Sequence, residues 1–284
     1  MAADGAAPDA RLAAALLAVD PRGIGGVVLR AAPGPMRERW LAYFTTIFPG
    51  QPVPRRVAPS ISDHRLLGGV DLVATLSAGR PVAERGLLAE ADGGIVLVAM
   101  AERLPAGTAA RIAGVMDEGE VCVQRDGLAV QQATRFAVVA LDEGLADDEQ
   151  VPAALAERCG AWLFLPETAD DLPGLELPAG AAIQAARDRL PDVNLPGPMI
   201  EALCATALNF GIDSMRVVQI AARMACASAA LHERDSVELD DAACAAQFVL
   251  APRARQLPGA PPPDDTPPDD ADPPEPPPAT EDTP

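Results

Sequence analysis

Four short apolar runs, most of them rich in β-branched residues, occur within the first 165 residues of the chain. They lie at 26–29, 95–98, 136–140 and 162–165, bounded mainly by glycine or charged residues. Runs of this length and composition are typical of buried strands. Because helical patterns separate them, they predict an α/β core with a parallel sheet covered by helices.

Two further apolar segments, at 121–123 and 128–130, flank the dipeptide Asp126-Gly127. Both residues of such a pair tolerate the positive φ angles of a tight turn, so the pattern predicts a β-hairpin between the second and third buried strands. An Ala/Leu-rich helix is expected at 9–19.

Beyond Pro178 the chain becomes Ala-rich and has no strand-like runs. Helices are expected at 181–189, 198–210, 214–233 and 240–250. Asp240 is a candidate N-cap for the last of them, because its side chain can accept from free backbone N–H groups. The pattern predicts a core domain at 1–178 followed by a small all-helical domain at 179–256.

Residues 257–284 consist mainly of Pro, Asp, Glu and Thr. Eight acidic residues fall here, so this segment carries -8 of the formal net charge of -19. It has too little apolar surface to offset the entropy of ordering, and we expect a disordered linker.

The composition excludes several classes of function. A net charge of -19 is unsuited to phosphate neutralisation, so no nucleic-acid partner is expected. No stretch approaches the ~18 apolar residues of a membrane span, and the N-terminus lacks a secretion signal. The five cysteines form no CxxC pair or cluster with His, which predicts free thiols in a reducing cytoplasm and no metal site.

The loop after the first predicted strand stands where a phosphate-binding loop would precede a helix. Against the pattern GxxxxGK[ST], Arg30 replaces the first Gly, Pro35 the second, Met36 the Lys and Arg37 the hydroxyl residue. With Gly34, these residues define a degenerate nucleotide-binding position. All 22 basic residues are arginine, so no part of the chain supplies the lysine that reaches the β and γ phosphates.

The next two strands also end without the expected catalytic groups. Ala99 and Met100 follow the second run, where Asp-Glu would position magnesium and polarise water. Glu102 comes two positions too late for that role. Glu143 follows the third run, where a polar amide commonly orients water, and its carboxylate would repel a phosphate.

Two arginines occupy positions that suit a ring-forming ATPase. Arg158 precedes the last buried run, where an arginine finger points at a neighbouring subunit, and Arg216 begins a helix of the second domain, where a sensor arginine would face a nucleotide. The alternative, that either is an ordinary surface arginine, remains open.

The ordered set of motifs across 23–255 resembles the AAA+ subunits of magnesium chelatase. The stretches that carry the resemblance are Leu-Gly-Gly-Val-Asp-Leu at 67–72, Glu-Arg-Gly-Leu-Leu-Ala-Glu-Ala-Asp-Gly-Gly at 84–94, Val-Gln-Arg-Asp-Gly-Leu at 123–128, Arg-Phe at 135–136 and Phe-Val-Leu-Ala-Pro-Arg-Ala-Arg at 248–255. The resemblance implies an AAA+ P-loop-type core with a β-hairpin insert, followed by a helical lid.

Within that family the chain resembles the D-type subunits. I-type subunits keep the Walker Lys and Asp-Glu residues, whereas D-type subunits have degenerate motifs, a Pro-rich acidic linker and a von Willebrand A-type domain. No such domain follows in this sequence, so we expect it to be part of a longer protein.

The resemblance implies a non-hydrolysing subunit of a hexameric ring that serves as a platform for the ATPase I subunit. The complex, a ligase, would work with the porphyrin-binding H subunit to insert Mg²⁺ into protoporphyrin IX for (bacterio)chlorophyll and photosynthesis. ATP and Mg²⁺ would be bound by the I subunit, with Arg158 as trans finger and Arg216 as sensor.

Two alternatives remain at the level of sequence. The first is a non-catalytic assembly chaperone of the MoxR type, which works with a von Willebrand A domain in metalloenzyme maturation. The second is an autonomous ATPase, which the missing catalytic groups disfavour.

Overall fold

The computed structural model describes residues 9–125, 128–146, 148–166 and 180–256. The predicted Asp126-Gly127 turn and the acidic segment at 257–284 lie outside these residues, as does the domain boundary at 178. The boundaries and the linker therefore stay predictions.

The strands of the described residues form one large sheet and two hairpins. In chain order they are β1 (Gly26–Arg30), β2 (Arg55–Val57), β3 (Gly68–Val70), β4 (Ala83–Arg85), β5 (Ile95–Val98), β6 (Glu120–Arg125), β7 (Leu128–Ala133), β8 (Ala137–Asp142) and β9 (Ala161–Phe164).

The large sheet is parallel, with the strand order β2-β5-β8-β1-β9. The three inner strands β5, β8 and β1 and the edge strand β9 confirm the four apolar runs, with boundary shifts of no more than two residues. The fifth strand, β2, was not predicted, because it has only three residues and two of them are exposed arginines. Parallel order requires a crossover between successive strands, so helices cover both faces.

Two antiparallel hairpins extend from this core. β6 and β7 pair from Glu120 opposite Ala133 to Arg125 opposite Leu128, which confirms the predicted hairpin. The shorter hairpin of β3 and β4 was not predicted from the sequence.

Helices account for most of the remaining described residues. In chain order they are α1 (Ala10–Val19), α2 (Pro21–Ile24), α3 (Pro35–Ile47), α4 (Asp63–Leu67), α5 (Leu72–Ala78), α6 (Leu87–Glu90), α7 (Ala106–Glu118), α8 (Ala153–Ala156), α9 (Gly180–Arg189), α10 (Gly197–Asn209), α11 (Met215–Leu231) and α12 (Leu239–Ala245). A π-helical turn at Ala246–Leu250 continues α12. None of these described helices has the combination of length and apolar character that a membrane span requires.

The hydrophobic core is divided by the large sheet. On one side, α1 and α3 pack with α9, α10, α11 and α12, and the indole N–H of the fully buried Trp40 donates to the carbonyl of Ala10 at 2.7 Å. On the other side, α6, α7 and α8 pack with β6. The C-terminal helices thus share a core with the sheet.

The predicted C-terminal helices are present, but one predicted cap is wrong. α12 begins after Glu238, whose side chain accepts from the backbone of Asp241, while the Asp241 carboxylate accepts from the Glu238 N–H at 3.0 Å. Asp240 is exposed and lies inside the helix. The reciprocal capping box satisfies two backbone donors at once, which a single Asp240 cap does not.

Arg253 joins the C-terminal helices to the sheet. Its guanidinium donates to four backbone carbonyl oxygens, at 3.0 Å for Gly160, 2.7 Å for Val249, 3.1 Å for Ala156, and also to Cys159. The guanidinium carbon lies 4.6 Å from the centre of the Trp162 ring. Burial lowers the pKa of Arg253 to about 10, so the group still carries its charge at neutral pH.

Replacing Arg253 with Met should lower the free energy of unfolding by about 3 kcal/mol or more, because several partly buried carbonyl groups lose their donor. The matched control is Arg255→Met, since Arg255 is exposed and its ion pair with Asp213 is 3.5 Å long. That change should cost under about 0.5 kcal/mol. Urea denaturation measures both, and equal midpoints would contradict the role of Arg253.

Candidate functional site

The degenerate loop lies at the carboxyl end of β1, where 31–34 lead into the N-terminus of α3. No side chain caps this helix, which begins at Pro35. A loop between a parallel strand and a helix N-terminus is where phosphate-binding loops lie, but the side chains here differ. Met36 is buried in the hydrophobic core, so the position of the missing lysine points inward.

Arg37 and Glu143 form an ion pair inside the loop region. The Nη1 atom of Arg37 lies 2.6 Å from Oε1 of Glu143, and the two side chains are only 9% and 23% exposed. Arg37 replaces the hydroxyl residue that would hold magnesium, and Glu143 replaces the water-orienting amide. The two replacements that were predicted separately therefore neutralise each other.

Neighbouring groups hold this pair in place. The side chain of Glu102 is 1% exposed and accepts from the Glu143 backbone N–H at 3.0 Å. Arg30 donates to the Gly144 carbonyl at 2.8 Å and lies 3.9 Å from Asp142, whose pKa burial raises. Arg30 and Glu102 thus serve the 142–146 loop, and neither is directed at a free anion site.

The space left beside the loop is small. A hollow of about 240 Å³ is lined by residues 31–37 with Leu165 and Pro166. Pockets for small ligands usually measure about 300–1,000 Å³. The described residues of the loop region thus combine a small hollow, no lysine and an internal ion pair, none of which favours a bound triphosphate.

The two residues that follow β5 have no ionisable side chain. Ala99 is buried, and Met100 has a φ angle of 46°, which is uncommon for a residue with a Cβ. Neither side chain offers a ligand for magnesium or a base for water.

The two predicted arginines meet at a carboxylate that sequence reasoning missed. The Nε of Arg158 donates to Oδ1 of Asp117 at 2.9 Å, and its Nη2 donates to Oδ2. Arg216 donates from Nη1 to Oδ1 at 2.8 Å. The hydrogen bonds from Arg158 lower the pKa of Asp117, which is therefore ionised at neutral pH.

These three residues line an open hollow of about 480 Å³. Arg22 and Arg223 also line it, and Arg223 lies 2.6 Å from the buried carboxylate of Asp20. Four guanidinium groups and two carboxylates give this surface a net positive charge, although the chain as a whole is strongly acidic.

The arginine hollow and the degenerate loop lie at opposite ends of β1. Gly25 precedes the strand, and a Cβ there would lie 2.2 Å from the carbonyl oxygen of Arg158. The loop follows the strand. Five residues at ~3.3 Å each separate the two by about 16 Å. The structure thus brings Arg158 and Arg216 together, but not with Arg30, Gly34, Met36 or Arg37.

No sequence signal identified Asp117. It stands in the last turn of α7, separated by 41 residues from Arg158 and by 99 from Arg216. Local patterns report on neighbours within a few residues, so a contact of this range appears only once the sheet is assembled.

Potential metal ligands come together in one place within the described ranges. Glu118, Glu120 and Cys122 have ligand atoms within 4.8 Å of one another beside the hairpin. The group is largely exposed, and exposed acidic side chains often lie this close without binding an ion. His64 and His232 are not part of it.

Comparison with known proteins gives one family model and several relatives. The AAA lid domain model matches residues 200–276. The Magnesium-chelatase 60 kDa subunit of Rhodobacter capsulatus is 37% identical over 254 residues, which cover 88% of this chain and 42% of that protein. The Magnesium-chelatase 38 kDa subunit of the same organism is 25% identical over 304 residues, covering 88% of this chain and 86% of that protein.

A solved structure of a candidate ATPase from Cytophaga hutchinsonii matches with a TM-score of 0.63 and 14% identity, covering 86% of this chain and 82% of that one. At this identity the match shows the fold alone. Together with the lid model and the sheet order, it confirms the AAA+ core and helical lid. The chain spans about two-fifths of the length of the 60 kDa relative.

Removing Glu143 should destabilise the chain, because the largely buried guanidinium of Arg37 loses its carboxylate. For Glu143→Ala we expect a loss of about 2 to 3 kcal/mol in the free energy of unfolding. Glu90→Ala is the control, since Glu90 and Arg55 form a 3.6 Å pair with both side chains nearly half exposed. Its cost should stay under about 0.5 kcal/mol. Equal unfolding midpoints in urea would show that the buried pair has no special role.

Proposed function

We propose that this chain, a homologue of the magnesium-chelatase 60 kDa subunits over 88% of its length, is a non-hydrolysing AAA+ ring subunit that completes the active sites of a partner ATPase. One observation supports this most directly: the chain's own loop is closed by the Arg37–Glu143 pair, while Arg158 and Arg216 remain accessible at the opposite end of the sheet.

The position of the arginines favours action on a neighbouring subunit. A guanidinium about 16 Å from its own degenerate loop cannot contact a phosphate bound there. In a ring, the amino end of the sheet of one subunit can face the loop of the next. Arg158 is then the trans finger, and Arg216 acts beside it on the same nucleotide, as a sensor in trans.

The partner in this proposal is an I-type ATPase subunit of the kind that the 38 kDa relative represents. Similarity of this chain to that relative along most of both lengths supports a common AAA+ interface. The I subunit binds ATP and Mg²⁺. Each of the two subunit types forms a homo-oligomeric ring, and the two rings stack or pair with each other. The H subunit holds the porphyrin that receives the Mg²⁺ substrate.

The names of the relatives favour this function over a MoxR-type assembly chaperone, since the 60 kDa and 38 kDa proteins are both named as magnesium-chelatase subunits. Insertion of Mg²⁺ into protoporphyrin IX by the reconstituted complex would decide between the two.

The first test is nucleotide binding by this chain alone. Because its loop region lacks the lysine and is occupied by an internal ion pair, we expect a dissociation constant for Mg-ATP weaker than about 1 mM in calorimetric titration. An active I subunit serves as the positive control. Micromolar binding, or ATP turnover by the isolated chain, would contradict the proposal.

The second test concerns Arg158. We expect Arg158→Ala to lower the rate of ATP turnover in the complex with an active I subunit. At the active sites that this chain completes, the rate should fall on the order of 10³-fold. The control is Arg111→Ala, which removes an exposed arginine that pairs with Asp63 at 2.9 Å. Unchanged ATPase and chelatase rates with Arg158→Ala would show that Arg158 is not a finger.

A further inference from the structure

Asp117 binds both arginines through a single carboxylate. Arg158 approaches with Nε and Nη2, one on each carboxylate oxygen, and its Nη1 donates to the Ala154 carbonyl at 2.7 Å. Arg216 contacts the same two oxygens at 2.8 Å and 3.4 Å. The planar guanidinium groups are therefore held in fixed orientations next to each other.

The carboxylate also makes this arrangement electrostatically possible. Two guanidinium groups at such a short distance repel each other. Without a carboxylate between them, this repulsion would drive the two long arginine side chains apart. Asp117 reduces the charge of the trio to +1, which is still attractive to a polyphosphate.

Local helix chemistry does not account for an acid at this position. Asp117 lies in the last turn of α7, next to Glu118, where the negative end of the helix dipole disfavours carboxylates. Aspartate is also a poor helix former compared with Ala or Glu. The favourable contacts of Asp117 are with the two arginines.

The contacts leave donors available on the arginines. A guanidinium has five N–H groups, of which Arg158 uses three in the bonds above and Arg216 uses two. Their side chains are 17% and 41% exposed at the hollow. Asp117 thus orients both groups while leaving N–H donors for an anion.

We propose that Asp117 is a positioning residue that holds Arg158 and Arg216 as one clamp, so that both guanidinium groups meet the same triphosphate on the neighbouring subunit. This inference rests on the trans-acting role proposed above. Asp117 itself does not contact the nucleotide.

The test uses the complex of this chain with an active I subunit. Asp117→Asn keeps the size of the side chain but removes the charge and half of its acceptor capacity. We expect kcat of the complex to fall by about 10-fold to 100-fold, as a displacement of catalytic groups by about 1 Å would cause. The KM for ATP should change less than about twofold, because the phosphate-binding loop of the I subunit dominates ATP binding in the complex. The affinity between the two subunits should also change less than about twofold.

Asp63→Asn is the matched control. It weakens another Asp–Arg pair of α7, the 2.9 Å contact of Arg111 in α7 with Asp63 in α4, and it should leave kcat unchanged. Thermal unfolding of each variant checks that folding is retained. If Asp63→Asn and Asp117→Asn lower kcat equally, the effect is a general one on α7 and the positioning role is wrong.

A double-mutant cycle separates this inference from the function on which it rests. In an Arg158→Ala/Arg216→Ala background, Asp117→Asn should have no further effect on kcat. An equal loss in both backgrounds, or a rise in kcat because Asp117 masks the arginines, would overturn the positioning role alone. If the double arginine variant itself retains full kcat, the trans-acting function fails.

Discussion

The ion pair of Arg37 with Glu143 is the constraint on which the chemistry of this chain depends. A guanidinium that is 9% exposed needs an opposite charge or several hydrogen-bond acceptors beside it, because an unpaired buried charge is costly. In an active ATPase the triphosphate and its magnesium supply the opposite charges in this region. Here the protein supplies both charges itself, so neither side chain needs a ligand to neutralise it. The residues that stand in place of the expected catalytic groups therefore also pair with each other.

The parallel direction of the strands separates the loop region from the arginine hollow. All five strands place their carboxyl ends at one edge of the sheet, where the loop, Met100 and Glu143 lie. Arg158 lies at the other edge, beside the start of β1, and Arg216 joins it from the C-terminal helices through Asp117. One end of the sheet therefore carries the paired side chains of Arg37 and Glu143, and the other end carries the open arginine hollow. In the proposed function, a second subunit presents its nucleotide to the arginine hollow.

Much of the fold follows from local sequence patterns, and the omissions have physical causes. The buried strands β1, β5, β8 and β9 are continuous apolar runs, and such runs are recognisable without a structure. β2 escaped prediction because an edge strand of three residues, two of them exposed arginines, has no apolar periodicity. At the site, the replacements Arg37 and Glu143 were each identified as losses. Their pairing, like the contact of Asp117 with both arginines, joins residues more than 40 positions apart, which no local pattern reports.

The absence of lysine has one consequence in the loop region and a different one at the arginine hollow. In the loop it removes the group that reaches the phosphates. At Asp117, one carboxylate must bind two cations and leave both able to donate further. A lysine has three N–H donors around one point charge, and its orientation around a carboxylate is not fixed. Arginine has five donors in a planar fork, so one side of the group binds Asp117 while other N–H groups remain directed at the hollow. Arginine at both positions therefore suits a clamp of two cations on one carboxylate better than lysine, which would carry the same charge.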